Sequence, residues 1–175
     1  MNKNTPHCIT LIGMMGSGKT LVGRYLALRL GWTFIDLDEQ IVKEAGRSIA
    51  DIFATDGEPA FRALELKTLT EVITSSDSRT VFSLGGGTIL QSECARLVKE
   101  HSLCVRLTAS ASTLYDRLKA DRKRPILRGT EPLEDKIKRL LTEREPAYAA
   151  AADISIPTDG RIVDDIIDEL LSVIW

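Results

Sequence analysis

Eight residues constrain the fold of this chain more than any other stretch: Gly13-Met14-Met15-Gly16-Ser17-Gly18-Lys19-Thr20. They fit the phosphate-binding pattern G-x-x-x-x-G-K followed by Ser or Thr, which works only between a strand and a helix. Both neighbours are present. The apolar run Cys8-Ile9-Thr10-Leu11-Ile12 precedes it and reads as a buried strand, and Leu21, Val22, Tyr25, Leu26 and Leu30 follow at helical spacing. Glycines let such a loop approach a ligand closely, and its N–H groups converge on phosphate oxygens at a helix N-terminus, where the dipole also favours an anion. Gly16, Ser17, Gly18 and Lys19 are therefore candidate nucleotide ligands, with Lys19 for the β- and γ-phosphates and the Thr20 hydroxyl for Mg²⁺. At average composition a chance match in a chain of this length falls under about one in a hundred.

The rest of the chain alternates strand and helix signals. Segments 32–35, 80–84, 103–107 and 154–157 read as further strands, separated by helical stretches that begin at residues such as Ser48 and Ser110, which suit N-caps, or close at Gly31 and Gly46. Ser48-Ile49-Ala50-Asp51 resembles a capping box with Asp in place of Glu. Ile41 and Val42 are expected to face inward, and Ile162, Ile166, Leu170 and Ile174 to form one stripe on the last helix. This pattern predicts a single α/β domain over 1–175: a five-stranded parallel sheet flanked by helices, with ligands beyond the carboxyl ends of the strands.

Bulk composition excludes several classes. With 175 residues, 43% hydrophobic and 27% charged, the chain is long enough for one core without staples. A net charge of −2 gives no global attraction to nucleic acid or an anionic membrane. No apolar run approaches the ~20 residues that span a bilayer, and the first seven residues have no apolar signal region. Cys8, Cys94 and Cys104 form no C-x-x-C pair, so reduced core thiols and a cytoplasmic location are expected.

Four further features follow strand ends or could fold over that edge. Asp36 and Asp38 share a face if the backbone remains extended. Alone, such a pair reads as a helix N-cap and a surface charge; beside a P-loop, one carboxylate suits a metal near Thr20 and the other a substrate hydroxyl. Gly85-Gly86-Gly87 after the third strand admits close backbone approach. Arg62 and Arg144, each unremarkable in isolation, are permanently charged partners for an anion. Segment 121–132 holds Arg122, Lys123, Arg124 and Arg128 with two prolines, and reads as either a solvated loop or a lid that brings positive charge to a transferring phosphoryl group.

Taken together, these motifs resemble shikimate kinase over essentially the whole chain. The resemblance is carried by the P-loop, Asp36-Leu37-Asp38, Gly46-Arg47-Ser48-Ile49-Ala50-Asp51-Ile52-Phe53, Phe61-Arg62, the three glycines, Arg124-Pro125-Ile126-Leu127 and Arg144-Glu145-Pro146-Ala147-Tyr148. It implies a fold like that of nucleoside monophosphate kinases, with a substrate-binding region near 38–65 and a lid near 121–132. It implies transfer of the ATP γ-phosphate to the 3-hydroxyl of shikimate, with Mg²⁺, on the route to chorismate and the aromatic amino acids. By the same resemblance Asp36 is the outer-shell metal carboxylate, and Asp38, Arg62, Gly85, Gly86, Gly87 and Arg144 bind shikimate. Arg124 is the lid arginine on ATP, and Arg161 an adenine contact that no tight motif fixes. Ile126 stands where the lid motif usually has Leu. ATP, ADP and shikimate are the expected partners of a monomer. The competing readings are a kinase of another polyol or acid such as gluconate, which the Asp38, Arg62, Gly86 and Arg144 set disfavours, and a nucleotide-dependent switch, which the retained Lys19, Asp38 and Arg124 disfavour.

Overall fold

The computed structural model of the chain describes residues 7–75, 79–120 and 130–175. Among them five strands form one sheet, β1 (Cys8–Ile12), β2 (Thr33–Asp36), β3 (Thr80–Ser83), β4 (Leu103–Thr108) and β5 (Ile154–Pro157), in the order β2-β3-β1-β4-β5. Every pairing is parallel. The strand read from the largely apolar run 8–12, β1, is the central one, and all five of its residues are buried. Its side chains alternate between two cores, as strand geometry requires. Ile9 and Leu11 join Val22, Leu26, Ile166, Ile167 and Leu170 on one face; Cys8 and Ile12 join Ile41, Phe61, Leu69, Phe82 and Leu97 on the other.

Eight α-helices cover these faces among the described residues: α1 (Lys19–Leu30), α2 (Leu37–Ala45), α3 (Ile49–Thr55), α4 (Gly57–Thr74), α5 (Ser92–His101), α6 (Ala111–Leu118), α7 (Leu133–Ala151) and α8 (Val163–Ile174), with a 3₁₀ turn over Thr88–Leu90. The expected caps form. Ser48 accepts from the Asp51 N–H, Ser110 accepts from the Thr113 N–H, and Gly31 and Gly46 close their helices in the left-handed region. A third cluster, Met14, Met15, Leu114, Leu118, Ile137 and Leu140, packs the phosphate loop onto α6 and α7.

Three sequence expectations shift. In α1 the buried side is Val22, Gly23, Leu26 and Ala27, while Leu21 and Tyr25 are about half exposed. Small residues decide this side: a Cβ at Gly23 would lie 2.5 Å from Phe34 Cε2, so only glycine lets α1 settle this close to the sheet. In α2, Leu37 and Ile41 face inward one turn apart, which turns Val42 outward. In the last helix Ile166, Leu170 and Ile174 pack inward as expected, joined by Ile167; Ile162 is the N-cap residue and is exposed, because the helix begins only after it.

Candidate active site

Because all strands run the same way, the residues following β1, β2 and β3 meet at one edge of the sheet. Gly16, Gly18, Lys19, Thr20, Asp36, Asp38, Ser83, Gly85 and Gly86 line a single open cleft there. The loop after β1 starts at Gly13, whose φ of 138° is open mainly to glycine; a Cβ there would sit 2.3 Å from the Leu107 carbonyl oxygen of β4. Gly18, with φ 98°, turns the chain into α1. Lys19 folds back over its own loop and donates to the Gly13 and Met14 carbonyls at 2.9 and 3.0 Å, holding a nearly buried ammonium above the loop. The Ser17 hydroxyl, fully buried beneath the loop, has no hydrogen-bond partner among the described residues.

The expectation of an extended Asp36-Leu37-Asp38 does not hold. The strand ends at Asp36 and α2 begins at Leu37. Asp36 is the N-cap: its Oδ1 accepts from the N–H groups of Asp38 and Glu39, and its Oδ2 accepts from Thr20 Oγ1 at 2.7 Å. One carboxylate therefore caps a helix and reaches the P-loop threonine at once, so the capping and the metal-side readings are not exclusive. Ser83 Oγ stands 3.4 Å from the same threonine hydroxyl. Asp38, in the first turn of α2, lies against the glycine segment after β3.

That segment brings the separated candidates together. A Cβ at Gly85 would stand 3.0 Å from Asp38 Oδ1, one at Gly86 3.5 Å from Arg144 Nη1 and 3.2 Å from the Met15 N–H nitrogen, and one at Gly87 2.7 Å from Arg62 Nη2. Three consecutive glycines thus each leave room for a different candidate residue, from α2, α7 and α4.

Arg62 is held by Glu58 one turn before it and by Glu65 at 2.7 Å. Burial alone would favour its neutral form, but these two carboxylates more than offset that, and its pKa is raised. Sequence reading missed Glu65. It is 1% exposed and accepts from Arg62, from Thr88 Oγ1 at 2.5 Å and from Gln91 Nε2 at 2.8 Å, so the charge buried in α4 is fully satisfied. An acidic residue three positions after an arginine in an apolar helix is the only signal the sequence offered. Arg144 is buried and donates to the Gly86 carbonyl at 3.1 Å. Arg161 is held by the Pro157 and Asp165 carbonyls and by Glu169. Arg117 of α6, which no motif marked, donates to the Gly16 carbonyl and to both oxygens of Thr158, tying the P-loop to the turn after β5. The turn is also anchored by Asp159, whose pKa falls to about 2 because Thr113 and Ser110 hydrogen-bond to it. Arg124 and most of segment 121–132 lie outside the described residues.

A parallel sheet with a phosphate loop at the end of its central strand, a threonine and an aspartate at the loop's edge, and an open cleft lined by a second carboxylate and glycines define a P-loop kinase of small molecules. The family model "Shikimate kinase" matches residues 15–175. The chain is 43% identical over 168 residues to a shikimate kinase of Geobacter sulfurreducens, covering 95% of this chain and 90% of that one. It is 39% identical to one of Symbiobacterium thermophilum, covering 93% of each. A solved shikimate kinase from Acinetobacter baumannii in complex with shikimate superposes with a TM-score of 0.92 at 34% identity, over 98% of this chain and 94% of that one. A gluconokinase from Sinorhizobium meliloti, at 17% identity and a TM-score of 0.59, shares the fold. The chain belongs to the shikimate kinase family, whose members are ATP-dependent kinases acting on a hydroxyl of shikimate.

Proposed function

We propose that the cleft transfers the ATP γ-phosphate to the 3-hydroxyl of shikimate, giving shikimate 3-phosphate and ADP, with the roles divided as follows. The loop amides of Gly16, Ser17 and Gly18 hold the phosphates, and Lys19, already fixed over the loop by two carbonyls, supplies positive charge beside the moving phosphoryl group. Asp38 orients the acceptor hydroxyl and accepts its proton as the bond to phosphorus forms. Arg62 and Arg144 hold the acceptor carboxylate, for which planar guanidinium groups are matched bidentate partners. Gly85, Gly86 and Gly87 keep the floor between them clear of side chains. The single observation that supports this division best is the glycine segment, each of whose members would clash with or crowd one of the three acceptor candidates if it carried a Cβ.

Thr20 Oγ1 and Asp36 Oδ2 are hard oxygen donors at the open edge of the cleft, and no group of three or more His, Cys, Asp or Glu among the described residues forms an all-protein cage. That donor set fits Mg²⁺, which prefers one or two protein oxygens plus water and substrate phosphates. Thr20 and Asp36 would hold Mg²⁺ there, and it would supply positive charge against the negative charge that develops on the phosphates. Arg124 on ATP and the lid at 121–132 complete the reading on sequence grounds, as does Arg161 toward adenine, and within the single domain the substrate region is 38–65. The protein works in this reading as a cytoplasmic monomer. Its three buried free thiols are in keeping with a reducing compartment, and no described helix is long and apolar enough to cross a membrane.

A coupled assay of ADP release with and without shikimate tests the reaction. Turnover that depends on shikimate is expected; turnover that needs no acceptor would favour a nucleotide switch. Lys19→Met is expected to keep the melting temperature and lose nearly all turnover, and near-normal turnover would remove Lys19 from the chemistry.

A further inference from the structure

Helix α7 touches the glycine segment twice. Arg144 Nη1 donates to the Gly86 carbonyl at 3.1 Å, and Tyr148, one turn later on the same face, donates to that same oxygen at 2.5 Å. A carbonyl oxygen has two lone pairs, so these two donors fill it. Tyr148 is 1% exposed, and burial pushes its phenol pKa up, with Arg144 and Arg106 opposing; the hydroxyl stays a donor across the working pH range.

Between the two donors stands Pro146, inside the helix. Proline has no N–H, so the carbonyl of Thr142 lacks its helical donor, and the ring crowds that carbonyl. The helix itself therefore holds the Arg144 turn less firmly, and tertiary contacts must set its position. Tyr148 is well placed to do so because its own ring is fixed from the sheet. The Arg106 guanidinium of β4 lies 5.4 Å from the ring centroid and is gripped by Glu145 through both terminal nitrogens, at 2.8 and 2.5 Å. Arg106 in turn is held in register with Ile12 of β1 and Ser155 of β5.

We propose that Tyr148 is a positioning residue for the acceptor site: its hydroxyl, braced by Arg106, fixes the Gly86 carbonyl and with it the Arg144 guanidinium bound to the same oxygen. The proposal rests on the reading of Arg144 as a ligand of the acceptor carboxylate. Without the hydroxyl, Gly86 keeps Arg144 as its one side-chain donor among the described residues. The guanidinium then shifts toward the carbonyl and away from the acceptor, while the nucleotide side of the cleft is untouched.

The test is steady-state kinetics of Tyr148→Phe with melting temperature measured alongside. Loss of one hydrogen bond's net worth predicts a rise of about tenfold in the shikimate KM, with the ATP KM unchanged. A core variant on the far face of the sheet, Ile167→Val, controls for stability and is expected to leave both KM values alone. A merely structural role for Tyr148 predicts that both KM values move together or that neither moves, and either result overturns the proposal. Arg144→Ala is run in parallel. If it raises the shikimate KM while Tyr148→Phe does not, the positioning role fails and the reading of Arg144 stands; if it leaves the KM unchanged, the reading of Arg144 fails and the proposal with it. In the double variant the effect of Tyr148→Phe is expected to shrink on the Arg144→Ala background. A full tenfold added there would mean the hydroxyl acts independently of Arg144 and would also overturn it. Should Tyr148→Phe fail to fold, Arg106→Gln leaves the hydroxyl in place and removes the brace; a smaller rise confined to the shikimate KM supports the proposal, and no rise overturns it.

Discussion

Asp36 and Asp38 show how two like residues, two positions apart, come to do different things. The turn from β2 into α2 at Leu37 commits Asp36 to the helix N-terminus and to Thr20, and leaves Asp38 against Gly85. The proposed role of Asp38 separates into orientation and proton acceptance, and Asp38→Asn distinguishes them, because the amide keeps size and hydrogen bonding but accepts no proton. If general base catalysis dominates, kcat is expected to fall by about 10²–10⁴-fold with shikimate affinity little changed. If orientation dominates, as a loose transition state would favour, turnover remains measurable and shikimate affinity changes instead. Full retention of both would place the acceptor elsewhere than beside β2. The motif Asp-x-Asp and a division of roles within it were legible in the sequence; that Asp36 also caps α2 was not, because it depends on where the strand stops.

At the scale of elements, the loops after β1 and β3 use glycine for different reasons, and matched substitutions separate them. Gly13 combines φ 138° with a backbone carbonyl 2.3 Å from the site of a Cβ, and neither can relax without moving β4. Gly13→Ala is expected to cost on the order of 1–3 kcal/mol or more in stability, read as a lower urea midpoint. At Gly87 the obstacle is the far end of the Arg62 side chain, and φ is not in the left-handed region. Gly87→Ala is therefore expected to fold with a near-normal midpoint while displacing Arg62, and to raise the shikimate KM with the ATP KM unchanged. A Gly87→Ala enzyme with an ordinary shikimate KM would count against the clamp formed by Arg62. A run of three glycines is visible in any sequence; that each faces a different helix is visible only once α2, α4 and α7 are packed.

The whole molecule gathers its site by one global feature, the parallel sense of all five strands, which brings three strand-end loops to one edge. The price of this arrangement is a sheet buried on both faces, and the three cysteines lie within it or against it. Burial pushes the thiols of Cys94 and Cys104 up to about 12 and raises that of Cys8. A raised thiol pKa means little thiolate until the pH approaches that value, so at pH 8 the folded protein is expected to react slowly with iodoacetamide. Unfolding returns the thiols to about 8.5 and exposes them, and labelling then reports the opened fraction of molecules. Shikimate and nucleotide together should slow labelling further by mass action on the folded state. Rapid native labelling of all three, measured by intact mass, would contradict the buried placement.

Local chemistry was readable from the chain alone because its causes are local. The P-loop needs its glycines, lysine and threonine at fixed spacing; the helix ends need Ser48, Ser110, Gly31 and Gly46; the central strand needs a run of apolar residues, here interrupted only by Thr10. Each of these stands where the sequence placed it. The alternation of strands and helices likewise sufficed for the parallel sheet. What the sequence left open was which side of a helix faces in, and what a side chain meets there. Leu21, Tyr25, Val42 and Ile162 are apolar yet face water, because Gly23, Ile41 and the start of α8 set the buried side. Glu65 and Arg117 carry no motif, and the motif that contains Tyr148 says nothing of what its hydroxyl meets; all three acquire meaning through partners 23 to 101 residues away. A hydrogen bond between distant residues leaves no periodicity in either segment, so only the packed tertiary structure decides it.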